Sequence, residues 1–278
     1  MTICICGAGT MGSGIAQVSA MAGCQTILYD LNGSMVQQAR EKIGNDLELL
    51  VRKQKIEPEK KESALQLIRF SSDPSDCVAD VVIEAIVEKM EVKTALFRQL
   101  AAINPGDTIF ASNTSSLSVS ALAATIPHPE RVAGLHFFNP APLMKLVEVV
   151  KAETTSGQVV DRLVALTKQL GKQPVVCRDS PGFIVNRVAR PYYIESLRIA
   201  EEGKIGMDTI DRLLESRGFR MGPFKLMDLI GNDVNYAVSC SVYEQLGQPE
   251  RLKPSYLQEE KVASGQLGKK TGRGYYAY

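Results

Sequence analysis

The sequence predicts an α/β fold, a mostly parallel sheet with flanking helices, followed by an all-helical C-terminal domain. Three observations lead there. Short β-rich runs alternate with longer amphipathic stretches over the first two thirds of the 278 residues, the pattern of parallel strands joined by crossover helices. The glycine-rich turn Gly7-Ala8-Gly9-Thr10-Met11-Gly12 follows the first run directly and opens the first helix. After Ser180-Pro181-Gly182 the β-rich runs stop, and glycines and prolines break the remainder into helices. The expected domains are therefore residues 1–182 and 183–278.

The strand runs are Thr2 to Cys6, Gln25 to Asp30, Val81 to Ala85, Thr108 to Ser112, Val132 to Phe137, Leu146 to Val150 and Pro174 to Cys177. Helices are expected from Met11 to Ala22, Gly33 to Arg52, Pro58 to Leu67, Met90 to Ile103 and Ser156 to Leu170. The interleaved charges from Arg40 to Glu62 read as a solvated helical pair.

Composition narrows the chemistry. Lys and Arg number 32 against 31 Asp and Glu, a formal charge of +1, so no broad basic face is available for a polynucleotide. With only His128 and His136 present, a three-histidine metal site is excluded. The cysteines at 4, 6, 24, 77, 177 and 240 include no CxxC pair, and they read as small buried side chains in a reducing compartment. No metal is expected. There is no charged leader and no apolar run near the roughly 20 residues a bilayer span needs, so the expectation is a cytoplasmic protein without a membrane partner.

The glycine turn carries the first chemistry. Between a strand and a helix, Gly7 permits the tight turn, Gly9 lets backbone approach a pyrophosphate, and Gly12 allows close helix packing. The helix N-terminus then offers unpaired N–H groups to the phosphates. The second strand ends in Asp30, 18 residues after Gly12, where a carboxylate accepts from an adenosine ribose 2′-hydroxyl and repels a 2′-phosphate. This Rossmann-like reading favours NAD over NADP. The same Asp30 side chain also suits a turn or helix cap.

Ligands of open α/β sheets sit beyond the carboxyl ends of the strands. There the sequence places Glu88 and Lys93, then Ser112-Asn113-Thr114-Ser115-Ser116, then His136-Phe137-Phe138-Asn139-Pro140. Such residues suit an alcohol oxidation, with an imidazole as base and Ser or Asn holding a substrate oxygen. Each also has a plainer reading as a cap, a turn residue or a satisfied core histidine. Glu148 strengthens the case for His136. It interrupts the apolar strand Leu146-Val147-Glu148-Val149-Val150, where a carboxylate is costly unless paired. If the chain reverses through Asn139 to Pro142, Glu148 comes beside His136, orients its ring and stabilises its protonated form. The alternative puts Glu148 on a solvated face. His128 sits among prolines and reads as a surface turn.

These residues resemble the L-3-hydroxyacyl-CoA dehydrogenase family, in its bacterial 3-hydroxybutyryl-CoA dehydrogenase form. The matching stretches are the glycine turn, Glu84-Ala85-Ile86-Val87-Glu88, Ser112 to Leu117, His136-Phe137-Phe138-Asn139-Pro140 and Met144 to Val149. They continue as Ser180 to Arg187, Met221-Gly222-Pro223-Phe224 and Gly268-Lys269-Lys270-Thr271-Gly272-Arg273-Gly274, covering nearly the whole chain. The resemblance implies NAD-dependent interconversion of a 3-hydroxyacyl-CoA and a 3-oxoacyl-CoA. It makes His136 the general base, Glu148 its orienting carboxylate, and Ser115 and Asn186 the groups holding the substrate oxygens. Thr10, Met11, Asn113, Ser115 and Asn139 join Gly7, Gly9, Gly12, Asp30, Glu88 and Lys93 as expected cofactor contacts. The resemblance also implies a homodimer formed through the helical domain and an active site in the interdomain cleft. CoA carries phosphates, so Arg52, Lys53 and Lys55 become candidate substrate contacts.

Two positions depart from the family pattern, Lys225 after Gly222-Pro223-Phe224 and the charge of Arg190 in Val188-Ala189-Arg190. The competing readings are a related hydroxyacid or sugar-acid dehydrogenase of the same two-domain plan, and a nonenzymatic NAD-binding protein.

Overall fold

The computed structural model describes residues 1–278 and divides into two compact units, Met1–Asp179 and Ser180–Tyr278. The division falls three residues before the expected boundary, at the end of the last strand's exit rather than at Gly182.

The first unit runs β1 (Thr2–Cys6), α1 (Thr10–Met21), β2 (Gln25–Tyr29), α2 (Gly33–Arg52), α3 (Pro58–Gln66), β3 (Ile68–Ser71), β4 (Val81–Glu84) and α4 (Met90–Ala101). It continues with β5 (Ile109–Ser112), α5 (Val119–Ala123), β6 (Val132–Phe137), β7 (Leu146–Lys151), α6 (Gly157–Gln169) and β8 (Gln173–Arg178). The eight strands form one sheet in the order β3-β2-β1-β4-β5-β6-β7-β8. Every neighbouring pair is parallel except β6 and β7. The central strands β4, β5 and β6 are buried along their whole length, as expected of a parallel sheet covered on both faces.

Strand order reverses between β1 and β4, so the loops leaving these two strands meet. A Cβ on Gly7, which has φ +105°, would lie 2.5 Å from the Ala85 carbonyl oxygen. A Cβ on Gly12 would lie 1.7 Å from the Gly7 oxygen. Both glycines are therefore sterically required, and together they fix a crevice at the switch point of the sheet.

Two short elements were absent from the expected list. Strand β3 has only four residues, one of them Arg69, and lies at the sheet edge with β2 as its sole neighbour. Helix α5 spans five residues capped by Ser118, whose hydroxyl accepts from the Ala121 N–H at 3.1 Å.

The second unit is helical, with α7 (Val185–Glu201), α8 (Met207–Ser216), α9 (Pro223–Ile230), α10 (Asn232–Gln245) and α11 (Tyr256–Ala263). Tyr193, Leu197, Ile210, Phe224 and Met227 form one buried cluster, and Ile194, Val238, Val242 and Leu252 another. Two buried aspartates organise it. Asp211 accepts from the Phe224 and Lys225 N–H groups at 2.9 and 3.1 Å, capping α9 from a distance. Asp228 accepts from the Tyr275 and Tyr276 N–H groups at 2.9 and 3.0 Å and from the Tyr278 hydroxyl at 3.1 Å. A Cβ on Gly222 would lie 2.3 Å from Asp211, and one on Gly274 2.0 Å from Asp228. The two glycine-containing stretches of this unit thus let backbone pack onto carboxylates. Lys225 pairs with Glu215 at 2.9 Å. No helix is long and apolar enough to cross a membrane.

Candidate active site

The antiparallel turn from β6 to β7 puts His136 directly opposite Glu148 in register. His136 Nδ1 lies 2.7 Å from Glu148 Oε2, with the two residues 6% and 1% exposed. Glu148 is thus buried and paired, and the solvated-face alternative is excluded. A carboxylate at Nδ1 places the proton there and makes Nε2 the basic nitrogen. The Phe138 ring flanks the imidazole at 4.5 Å between centroids. The reversal between the strands passes through a cis Asn139–Pro140 peptide and leaves Asn139 exposed. It is held from below by Lys172, whose ammonium donates to the carbonyls of Ala141 at 2.6 Å and Met144 at 2.8 Å. Burial pushes the Lys172 pKa down. Sequence reading passed over Lys172, which looks like an ordinary turn lysine until the turn it stabilises is seen.

At the ends of β4 and β5 a second buried group forms. Lys93 on α4 is 1% exposed, and its ammonium lies 2.5 Å from Glu84 Oε1 and 3.1 Å from Glu88 Oε2. Glu84 is fully buried and accepts from the Ser112 hydroxyl at 2.7 Å. Glu88 Oε1 accepts from the Thr114 hydroxyl at 2.5 Å and from the N–H of Ser115 at 3.0 Å and of Ser116 at 3.3 Å. Burial acts to raise the Glu88 pKa, but the Lys93 charge and the Thr114 hydroxyl outweigh it and hold the carboxyl below its ordinary value. Glu88 therefore fixes the backbone that presents Ser115. Asn113 ties this loop to the next strand, its Oδ1 accepting from the Phe137 N–H at 2.8 Å. Sequence reading placed Ser112 among the polar groups beyond the strands but missed its buried partnership with Glu84. A signal existed, because Lys93, Phe97 and Leu100 form the buried stripe of α4, and a lysine on an apolar stripe calls for a buried partner.

The crevice fits a dinucleotide. A Cβ built on Gly9 would meet nothing within 4 Å, so backbone at this glycine is open to a phosphate. Gly9 caps α1 without any side-chain hydrogen bond to the first turn, and Thr10 and Met11 begin the helix beside it. Asp30 accepts from the Ala8 N–H at 2.8 Å and the Asn32 N–H at 2.9 Å. It thus braces the glycine turn.

Arg52, Lys53 and Lys55 lie exposed at the end of α2 and in the turn after it. Arg52 is drawn to Glu48 at 3.3 Å, whereas Lys53 and Lys55 form no ion pair. Asn186 belongs to the other unit, half-buried in the first turn of α7. The His128 side chain is 64% exposed and lies 3.3 Å from Glu130.

Comparison with known proteins fixes the kinship. The family model "3-hydroxyacyl-CoA dehydrogenase, NAD binding domain" matches residues 2–180, and "3-hydroxyacyl-CoA dehydrogenase, C-terminal domain" matches residues 182–278. The chain belongs to the 3-hydroxyacyl-CoA dehydrogenase family. It is 50% identical over 277 residues to 3-hydroxyadipyl-CoA dehydrogenase of Escherichia coli, covering 99% of this chain and 58% of that relative. The chain thus spans less than two thirds of that protein's length. Mitochondrial hydroxyacyl-coenzyme A dehydrogenase of Sus scrofa is 42% identical, with 99% and 90% covered. The crystal structure of (S)-3-hydroxybutyryl-CoA dehydrogenase from Ralstonia eutropha superposes with a TM-score of 0.95 at 39% identity, covering 100% of this chain and 98% of that one.

Proposed function

We propose that this protein interconverts (S)-3-hydroxyacyl-CoA and 3-oxoacyl-CoA with NAD, using His136 as the proton-transfer group. The observation that carries the reading is the buried His136–Glu148 pair at 2.7 Å, on the same sheet as the glycine turn. An alcohol carbon gives up hydride readily only as its hydroxyl proton leaves. In this reading Nε2 of His136 takes that proton, while Glu148 holds the ring and stabilises the imidazolium. In reduction the same imidazolium returns the proton to the forming alkoxide. The nicotinamide, when bound, supplies the hydride acceptor or donor. Ser115, on the backbone fixed by Glu88, and Asn186 hold the substrate oxygens.

Asp30 supports NAD over NADP, with no arginine among Leu31, Asn32 and Gly33 to offset its charge. Lys53 and Lys55 are assigned to the CoA phosphates. The reading includes a cytoplasmic homodimer formed through the helical unit, supported by exposed Val188, Leu229, Ile230 and Val234 there.

The test is NADH oxidation with acetoacetyl-CoA, against free acetoacetate and L-gulonate, repeated with NADPH. Turnover of the CoA thioester should exceed that of both free acids by at least about 100-fold, and NADH should be preferred. Equal turnover without CoA would refute the substrate assignment.

A further inference from the structure

Three cysteines meet at a place the chemistry above does not use. Cys4 and Cys6 stand on β1 with their side chains on one face, opposite the face on which Ile3 and Ile5 join the core. Cys77 reaches the same place from the crossover between β3 and β4. All three are fully buried, and their sulfurs lie within 4.8 Å of one another. The Cys4 and Cys6 sulfurs are 3.8 Å apart, and both hydrogen-bond to the Cys77 sulfur.

The chain around Cys77 is held so that its side chain points inward. Asn104 bridges the two sides of it, donating from Nδ2 to the Cys77 carbonyl at 2.8 Å and accepting at Oδ1 from the Ala79 N–H at 2.9 Å. The Cys77 N–H donates to the Pro74 carbonyl at 3.1 Å. Its neighbours in the loop 72–80 are exposed, Ser75, Val78 and Asp80 among them, so a single thickness of chain separates the sulfurs from solvent. That loop bears Asp73, Asp76 and Asp80 and no basic residue, a field that draws a cation.

We infer that Cys4, Cys6 and Cys77 bind one soft, thiophilic metal ion, with monovalent copper preferred to zinc. The donor set decides the class. Thiolates select Cu(I) and zinc over the hard ions that carboxylates and water hold. Three sulfurs placed ~2.3 Å from one ion in a plane stand about 4 Å apart, and the cluster meets this with a small closure. Structural zinc asks for four ligands, and the cluster includes no fourth Cys, His, Asp or Glu. Coordination replaces thiol protons, which leave to solvent. The ion ties the crossover loop to β1 directly before Gly7. No spacing in the sequence announces the site, since the third donor comes from a distant loop.

The experiment offers Cu(I), as its bicinchoninate complex and without oxygen, to the reduced full-length protein. The wild-type protein should withdraw one equivalent per chain, show a sulfur-only shell at about 2.3 Å in copper X-ray absorption, and melt at a higher temperature when loaded, as expected of an ion that binds the folded chain. Cys77→Ser, a one-atom change in a loop, should weaken the affinity at least ~100-fold. Cys177→Ser combined with Cys240→Ser, which removes the two partly exposed thiols, should leave it unchanged. No withdrawal of copper overturns the proposal, as does undiminished binding in Cys77→Ser or a lowered melting temperature on loading. Uptake of Zn2+ while copper stays on its chelator overturns it too. If Cys77→Ser does not fold, the copper shell of the protein carrying Cys177→Ser and Cys240→Ser decides: sulfur alone supports the site, and nitrogen or oxygen neighbours overturn it.

Discussion

Two buried carboxylate groups stand at one edge of the same sheet, and they do opposite things. Glu148 faces the imidazole of His136. Glu84 and Glu88 face the ammonium of Lys93. The first pair is the one proposed above to move a proton. The second is a fixed electrostatic strut that shapes the loop carrying Ser115. Burial alone therefore does not distinguish the two; the chemistry of the partner does.

The comparison is tested first where the effect should be largest. His136→Gln should lower turnover by about 10³-fold or more, as removing a general base and its charge stabilisation does, with NAD affinity by calorimetry nearly unchanged. His128→Gln is the matched control and should leave turnover within about twofold. If most activity survives in His136→Gln, the imidazole is not the base. Lys93→Met should act on folding rather than on proton transfer. It strands Glu84 in the interior and should cost about 3–5 kcal/mol in denaturant unfolding. The pH dependence sharpens this. Glu88, held below the usual carboxylate value, contributes stability that is full above about pH 4.3 and is lost as pH falls through its lowered value. Without Lys93 that loss should begin at higher pH, moving the acid-unfolding midpoint upward; an unmoved midpoint would break the strut reading. The smallest effect is expected at the exposed tip, where Lys53→Ala and Lys55→Ala together should raise KM for acetoacetyl-CoA several-fold with kcat unchanged. An unchanged KM would return these lysines to the role of a solvated helix end.

The His136–Glu148 pairing was legible in the sequence because Glu148 breaks an apolar strand, a local anomaly that a single nearby histidine resolves. The cofactor crevice was legible because strand, turn and helix follow one another without interruption. The strut was not, because it is assembled from β4, β5 and α4, and each member has an ordinary local excuse. Glu84 ends a strand, Ser112 ends another, and Lys93 lies in a helix of mixed charge. Strand β3 escaped for a different reason: four residues with one cation carry too little apolar pattern, and pairing with β2 rather than composition makes them extended. Arg190 was visible only as a departure from the family pattern, since its partners on α7 and α10, Asn186, Asn235 and Ser239, are brought to it by the fold.

Asp228 has a consequence for the order in which the protein can be completed during synthesis. Besides Asn232, four residues on, the residues that bond it, Tyr275, Tyr276 and Tyr278, lie about 50 positions later in the chain. While the ribosome is still producing that stretch, α9 carries a carboxylate with much of its matching backbone not yet made. The sheet unit, Met1–Asp179, is a compact unit of its own and can close well before then. Folding of the helical unit is accordingly tied to emergence of Tyr275–Tyr278 from the ribosome, and a stall before Tyr275 should leave the sheet unit folded and the helical unit open to protease.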